Sequence, residues 1–314
     1  MAAWVGFTLP SVVAMVALAL LTTTTDASAG WVEGLKLAAV AVVAQAVVVM
    51  ARNLTPDAPR ILLAGIATVV VLLAPQPWVP ILVIGVGGLV GWWFLRGPTQ
   101  ATTPAGGNRV GSRRAAILLA MFGALLVGLP IAVRLVDSQA LAVAEAFYRS
   151  GALVFGGGHV VLPLLSDAVV TPGWVGEDRF LAGYGAAQAV PGPLFSFAGF
   201  LGASLRTGPS GVAGAILAVG AIFLPSFLLV WGTMPFWDRL RRSATFAAAL
   251  RGTNAMVVGI LLAALITPVA SSALHGPVEV ALAAAGFAAL WTGWVPPIAV
   301  VAGLAAAGQV LALG

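Results

Sequence analysis

The sequence contains no cysteine among its 314 residues. This absence excludes disulfide bonds, thiolate metal sites and thiol chemistry on a substrate. Charged residues are also scarce, since they make up 8% of the chain, where a soluble domain has about 25%. Hydrophobic residues make up 61%, and the mean hydropathy is +1.06. This composition predicts that lipid rather than water surrounds most of the protein.

Histidine is scarce too: the chain has two, His159 and His275, which are far apart in the sequence. No His-Glu-x-x-His or Gly-x-Ser-x-Gly pattern accompanies them. Together with the missing cysteine, this argues against an intramembrane enzyme. The net charge of +5 comes mostly from arginines in short loops, so it indicates membrane topology rather than nucleic-acid binding.

Apolar stretches close to the ~20 residues that a helix needs to cross a bilayer recur along the chain. They predict an all-α integral membrane protein, a polytopic helical bundle. The first part of the chain has the candidate spans Trp4 to Leu21, Gly34 to Met50, Ile61 to Ala74, Pro80 to Leu95 and Ala115 to Val133. The second part has Gly211 to Thr233, Ala244 to Ala270, Pro277 to Trp291 and Pro296 to Leu313.

Two segments of the chain repeat each other at an offset of about 215 residues. The run Phe7 to Ser11 (FTLPS) resembles Ile222 to Ser226 (IFLPS), and Lys36 recurs as Arg251 before a similar apolar run. The arginine bias gives the two copies opposite directions through the membrane. Inverted repeats with interrupted helices are typical of secondary transporters.

The repeat also predicts how the chain divides. Residues 1–95 form a partial N-terminal transporter repeat, residues 96–114 a cytoplasmic linker loop and residues 115–314 the C-terminal repeat. The counterpart of the irregular region Ala140 to Leu205 would precede Met1, so we expect an incomplete first repeat, by genuine loss or a misplaced start. The linker arginines are Arg96, Arg109, Arg113 and Arg114, and the other cytoplasmic markers are Arg52, Arg60, Arg239, Arg241 and Arg242.

The irregular region predicts broken or re-entrant helices and carries the first candidate site motif. Phe155 is followed by Gly156, Gly157, Gly158 and His159 inside an apolar stretch. Three glycines in a helix cost about 1 kcal/mol each. They therefore indicate either backbone N–H groups that face an anion or close packing of another helix.

A second candidate motif runs from Gln188 through Pro191, Gly192 and Pro193 to Ser196. It predicts a half-helix that begins near Pro193 at membrane depth, with free N–H groups suited to a doubly charged oxyanion. Gln188 would add an amide donor and Ser196 a hydroxyl. The alternative is a kinked loop at the membrane surface.

The ionisable residues of this region leave alternatives open. His159 either donates to the anion or titrates during transport, or it is satisfied by a neighbour. Arg149 either neutralises the substrate or pairs with Glu145, four residues earlier. Asp167, Glu177, Asp178 and Arg179 are interpreted as an aqueous loop around Trp174.

Taken together, these motifs resemble the chromate transporter (CHR) family. The resemblance rests on Phe155 to Pro163, Trp174, Gln188 with Pro191 to Pro193, and Leu224 to Ser226, and Leu9 to Ser11 extends it toward the N-terminus. It implies efflux of chromate across the cytoplasmic (inner) membrane by a multi-pass protein, with sulfate as an analogue and without a cofactor. It also implies that a homodimer or a partner half-transporter would restore the missing region. The alternative is a transport-inactive remnant or partner subunit.

Overall fold

The computed structural model describes residues 2–22, 29–97, 111–155 and 158–312. Every regular element within these ranges is helical, which confirms the prediction of an all-α polytopic membrane protein. Gly156, Gly157, Leu313 and residues 98–110 of the predicted linker lie outside the described residues.

The first part of the chain forms long helices joined by short loops. They are α1 (Ala2–Leu21), α2 (Gly30–Leu54), α3 (Ala58–Leu73), α4 (Val79–Phe94) and α5 (Ser112–Leu135). Helix α3 begins where the Asp57 side chain accepts a hydrogen bond from the Arg60 backbone N–H. A side-chain hydrogen bond from Arg60 also lowers the pKa of the Asp57 carboxyl below its usual value.

The second part begins with short helices and ends with longer ones. The helices are α6 (Gln139–Ala152), α7 (Val161–Leu165), α8 (Glu177–Ala187), α9 (Phe197–Ala203), α10 (Gly211–Thr233), α11 (Trp237–Arg242), α12 (Ala244–Ala264), α13 (Pro277–Thr292) and α14 (Pro297–Leu311). Five helical stretches of the described chain are long and apolar enough to cross a membrane: Ala3–Leu21, Gly30–Leu54, Ser112–Leu135, Gly211–Phe236 and Ala244–Ala270.

The bundle has two ends with different charges. At the basic end, the Arg251 side chain donates a 2.7 Å hydrogen bond to the Leu95 carbonyl and Arg52 stacks on Trp291. At the opposite, acidic end, Lys36 Nζ donates a 3.1 Å bond to the Ser272 carbonyl. The basic end bears Arg52, Arg60, Arg96, Arg242 and Arg251 together with Asp57, and the acidic end bears Glu33, Asp137, Glu177, Asp178 and Glu279 together with Lys36, Arg134, Arg179 and Arg206.

Helices from the two parts of the chain cross at glycines. A Cβ atom on Gly34 of α2 would overlap the Leu304 carbonyl and lie 2.6 Å from Ala305 Cα of α14. A Cβ atom on Gly252 of α12 would lie 2.7 Å from Gly91 Cα of α4. Small residues let the helix backbones approach this closely, as is common in membrane helix pairs.

These two crossings are copies of one arrangement. The start of α2 lies against the end of α14, and the start of α12 lies against the end of α4. The corresponding residues Lys36 and Arg251 lie at opposite ends of the bundle. The inverted repeat that the sequence predicts is therefore visible in the packing, and each long helix of one copy packs between helices of the other.

Four of the shorter helices form two re-entrant hairpins, α6 with α7 and α8 with α9. Helix α6 has 14 residues and α8 has 11, fewer than the ~20 that a full crossing requires. The Ser150 hydroxyl of α6 donates to the Leu164 carbonyl of α7 at 3.3 Å, and Phe180 of α8 packs edge to face on Phe197 of α9. The two hairpins are joined at their outer ends by a 2.9 Å hydrogen bond from the Arg206 N–H to the Trp174 carbonyl.

Candidate functional site

The breaks of the two hairpins meet inside the bundle. Residues Gly158–Val160 and Leu194–Ser196 each form a single 3-10 turn. A Cβ atom on Gly158 would lie 3.5 Å from Leu194 Cβ. The structure therefore places Gly158, the last glycine of the first motif, beside Leu194, which follows Pro193 of the second motif; that the two motifs form one site remains a prediction.

The break after α8 lies where the sequence predicts it, but its helix is short. Pro193 precedes the 3-10 turn, and the α-helical part that follows, Phe197–Ala203, has seven residues. Pro193 is half-buried, and Ser196 is 2% exposed with its N–H bonded to the Pro193 carbonyl at 2.9 Å. Pro191 of this turn is exposed and Gly192 is partly buried, so the alternative of a kinked loop at the membrane surface stays open.

Helix α1 fills the space beside this break. The Ser11 hydroxyl donates a 2.6 Å hydrogen bond to the Pro191 carbonyl. A Cβ atom on Gly192 would overlap Ser11 Oγ and lie 2.7 Å from Ser11 Cβ. The expectation that Gly192 allows close approach is met by a neighbouring helix and not by an open anion pocket, since α1 occupies that side of the glycine.

A cavity of about 340 Å³ lies between the hairpin breaks and α2. His159 and Gln188 both line it, as the sequence predicts, and α2 contributes Gln45. The cavity extends toward the basic end, where Leu290 and Pro297 complete it. Its other lining residues are Val42, Ala46, Val49 and Met50, so no carboxylate of the described chain lines it.

The Gln188 side chain is the most informative group in this cavity. Its Nε2 atom is buried and has no hydrogen-bond partner among the described residues. A buried amide without a partner costs about 1–3 kcal/mol. Because Gln188 also lines the cavity, an oxyanion bound there would supply the acceptor that Nε2 lacks. Gln45 differs, because its Nε2 donates to the Leu290 carbonyl at 3.0 Å.

His159 is held by a tyrosine that the sequence analysis missed. His159 Nδ1 and the Tyr184 hydroxyl lie 2.8 Å apart, and Tyr184 is fully buried. Because the hydroxyl proton has no other acceptor among the described residues, we assign Tyr184 as the donor to Nδ1. The other ring nitrogen, Nε2, is then an N–H donor on a side chain that lines the cavity.

Arg149 does not belong to this group. Its Nε donates to Glu145 Oε1 at 2.6 Å, and both side chains are largely shielded from solvent. Arg149 lines a separate small pocket together with Asp167 of the π-helical turn Ser166–Val170. Of the two alternatives for Arg149, the structure shows the ion pair with Glu145, which lies four residues earlier on the same helix. Arg52 lies three residues beyond Val49 on α2, and its guanidinium stacks on the Trp291 ring.

The predicted aqueous loop is partly wrong, because helix α8 begins at Glu177 and its first turn makes internal contacts. Lys36 Nζ is bonded to Asp178 Oδ1 at 2.9 Å and to Glu33 Oε1 at 2.7 Å, and the Lys36 side chain is 4% exposed. Sequence spacing reveals Glu33 as a partner on the same helix, but Asp178 lies 142 positions away.

The fold and the cavity together define a class of protein: a multi-pass helical membrane protein in which two inverted repeats surround broken helices and a polar cavity. A family model described as chromate transporter matches residues 1–92 and 141–309. The chain belongs to the chromate transporter family.

Curated relatives agree with this assignment. The chain is 30% identical over 262 residues to a chromate transport protein of Pseudomonas aeruginosa, covering 76% of this chain and 59% of the relative. It is 31% identical over 121 residues to a chromate transport protein of Cupriavidus metallidurans, covering 38% and 29%. The uncharacterized transporter YwrB of Bacillus subtilis is 34% identical over 133 residues, covering 42% and 65%. The chain thus matches less than two thirds of the length of each of these relatives. No solved structure matches the chain.

Proposed function

We propose that this chain is a secondary transporter that exports chromate, or a sulfate-like tetrahedral oxyanion, across the cytoplasmic membrane. The observation that carries the proposal is the Gln188 amide beside His159: among the described residues it has no hydrogen-bond partner, and no carboxylate lines the cavity that both residues share. The described side chains around the cavity offer hydrogen-bond donors and no nucleophile activated by a base, so a transport role suits them better than an enzymatic one.

The charge distribution supports access to the cavity from the cytoplasm, which export requires. The basic end fits the cytoplasmic side by the arginine bias, and the His159 cavity extends toward that end. Arg52 near the cavity would raise the local concentration of a dianion in the cytoplasm. At the acidic end, packing of Gly185 against the Leu35 carbonyl closes the path between α8 and α2.

Transport is tested in everted membrane vesicles, where export becomes uptake. Vesicles containing this chain are expected to take up radiolabelled chromate, and excess sulfate is expected to compete because the two ions share charge and shape. Uptake equal to that of vesicles without the protein would contradict transport by this chain alone. It would favour the alternative of a partner subunit, which co-expression with a second half-transporter then tests.

Orientation is tested by single cysteines, which can be placed cleanly because the chain has none. Gly111 at the basic end has open space around it, and Ser271 at the acidic end is exposed. In intact cells, an impermeant maleimide is expected to label Ser271→Cys and not Gly111→Cys. The opposite labelling would reverse the proposed direction while leaving the binding site unaffected.

A further inference from the structure

A second cavity, of about 480 Å³, lies at the acidic end of the bundle and is not part of the proposed transport site. It is bounded by the end of α1, the start of α2, helix α8 and the segment between α9 and α10. No carboxylate of the described chain lines it. Its polar lining residues are Thr22, Trp31, Arg179, Ser204, Arg206 and Ser210.

Arg179 supplies a fixed positive charge to this cavity. Its Nη1 and Nη2 donate to the Thr22 carbonyl at 2.8 Å and to the Ala19 carbonyl at 2.6 Å. The guanidinium carbon lies 5.5 Å from the centre of the Phe200 ring. These neutral partners hold the side chain in place without cancelling its charge.

Arg206 supplies a second positive charge. Its side chain is exposed, and a Cβ atom built on Gly176 would lie 2.9 Å from Arg206 Nη2. Within the described part of the chain, no ion pair joins Arg179 or Arg206 to a carboxylate. These two guanidinium groups, which form no ion pair among the described residues, line one cavity, and a bound anion would be stabilised by both.

Ser204 provides an independent sign of a missing ligand. The residue is 9% exposed, and its hydroxyl oxygen is buried without a hydrogen-bond partner among the described residues. The backbone N–H of Ser204 is already used, since it bonds to the Phe200 and Leu201 carbonyls at 3.0 Å. Because Ser204 lines the cavity, an anion bound there would give this hydroxyl an acceptor.

We infer that this cavity binds a tetrahedral oxyanion through Arg179, Arg206 and the Ser204 hydroxyl. Paired guanidinium groups match the geometry of a dianion with several oxygens. The volume exceeds that of the His159 cavity, which leaves room for bound water around the ion. Anion binding in this cavity does not depend on transport. We also infer that an exported anion binds here last, before it leaves the protein, and this second role rests on the proposed export.

The inference is tested by protection of arginine from phenylglyoxal, read by mass spectrometry on the whole chain in detergent. Sulfate is expected to slow modification of Arg206 at least roughly fivefold with a saturable concentration dependence. Arg134 is the internal control, because it is exposed and lies outside the cavity lining. Equal protection of both arginines, or equal protection by chloride at the same ionic strength, would overturn the inference.

A second arm separates a free anion from the phosphate of a lipid headgroup. Protection by sulfate in lipid-free detergent identifies a free oxyanion as ligand. Protection that requires nanodiscs containing phosphatidylglycerol, and is absent with phosphatidylcholine and added sulfate, identifies an anionic headgroup. Either result supports an oxyanion site in the cavity, and protection by neither ligand would overturn it.

The variant Ser204→Ala tests whether the Ser204 hydroxyl contributes to anion binding. It should leave the fold intact, because removing an unpaired buried hydroxyl leaves no partner unsatisfied. We expect an unchanged melting temperature and a half-protecting sulfate concentration roughly 3–10-fold higher for Arg206. An unchanged concentration would remove Ser204 from the site. Chromate flux in everted vesicles separates the two proposals: flux without protection refutes only this cavity, and protection without flux refutes only transport.

Discussion

The glycine crossings and the re-entrant hairpins differ in how often they occur. The contact of α2 with α14 recurs as the contact of α12 with α4, whereas the pair of hairpins α6–α7 and α8–α9 occurs once among the described residues. The duplicated contacts fix the positions of long helices, and the hairpins supply His159 and Gln188. The comparison therefore separates a frame that holds the bundle together from the hairpins that carry the proposed site.

The largest effect is expected from bulky residues at the crossings. Leucine at Gly34 or at Gly252 would place side-chain atoms on the backbone of α14 or α4, and overpacking costs at least about 1–3 kcal/mol where backbone must move. We expect both variants to lose the monodisperse peak in size-exclusion chromatography. Gly65→Leu and Gly220→Leu are the controls, because nothing lies within 4 Å of a Cβ atom there.

Comparing these two variants also tests the symmetry of the frame. Equal losses in Gly34→Leu and Gly252→Leu are expected if the crossings are copies of one contact. If one variant assembled normally while the other failed, the two halves would not support the bundle in the same way.

The next effect is expected at the buried charge that joins the frame to a hairpin. Lys36 of α2 binds Asp178 of α8, and its side chain is 4% exposed. The change Lys36→Met removes the hydrogen bonds of this ammonium to Glu33 and Asp178, whose side chains are 40% and 49% exposed, and the loss of hydrogen bonds to a charged group costs about 1.5–3 kcal/mol. Arg60→Met breaks a more exposed pair with Asp57 and should destabilise the protein far less. Thermal unfolding in detergent measures both, and equal melting temperatures would contradict the account.

A smaller effect on stability, but a clear one on transport, is expected at the hairpin break. The change Gly192→Ala pushes the Pro191 to Pro193 turn away from Ser11 and should lower chromate uptake at least roughly tenfold through misplaced site residues. Adding Ser11→Gly removes the overlap and should restore most of the uptake. If Ser11→Gly did not restore uptake, Gly192 would be required for a reason other than the close approach of α1.

The sequence predicted the frame well, because its signals are local or repeated. Apolar length located the long helices, and the recurrence of Leu-Pro-Ser with a following basic residue revealed the inverted copies. The repeat could not reveal which glycines touch, since Gly34 and Gly252 find their partners through tertiary packing. The division at residues 96–114 remains a prediction.

The site was predicted less completely, because its contacts join distant positions. His159 and Gln188 stood out as polar residues at breaks of apolar stretches, and they share a cavity. Tyr184 carried no such signal, since a tyrosine in an apolar helix is usually an ordinary core residue. Arg149 was the misleading candidate: charge alone suggested a ligand, but the nearer Glu145 satisfies it.

The central claim is that an oxyanion occupies the cavity beside Gln188, and a single change of charge tests it most directly. Gln188→Glu keeps the size of the side chain but replaces the unpaired amide donor with a carboxylate, which is negatively charged and only accepts hydrogen bonds. Gln309→Glu is the matched control outside the cavity, because Gln309 already accepts a hydrogen bond from the Trp31 N–H through its side-chain oxygen. In everted vesicles at equal protein content, we predict that Gln188→Glu lowers chromate uptake at least roughly tenfold while Gln309→Glu leaves it within about twofold. Normal uptake by Gln188→Glu would contradict the account, since a carboxylate next to the substrate would then cost nothing.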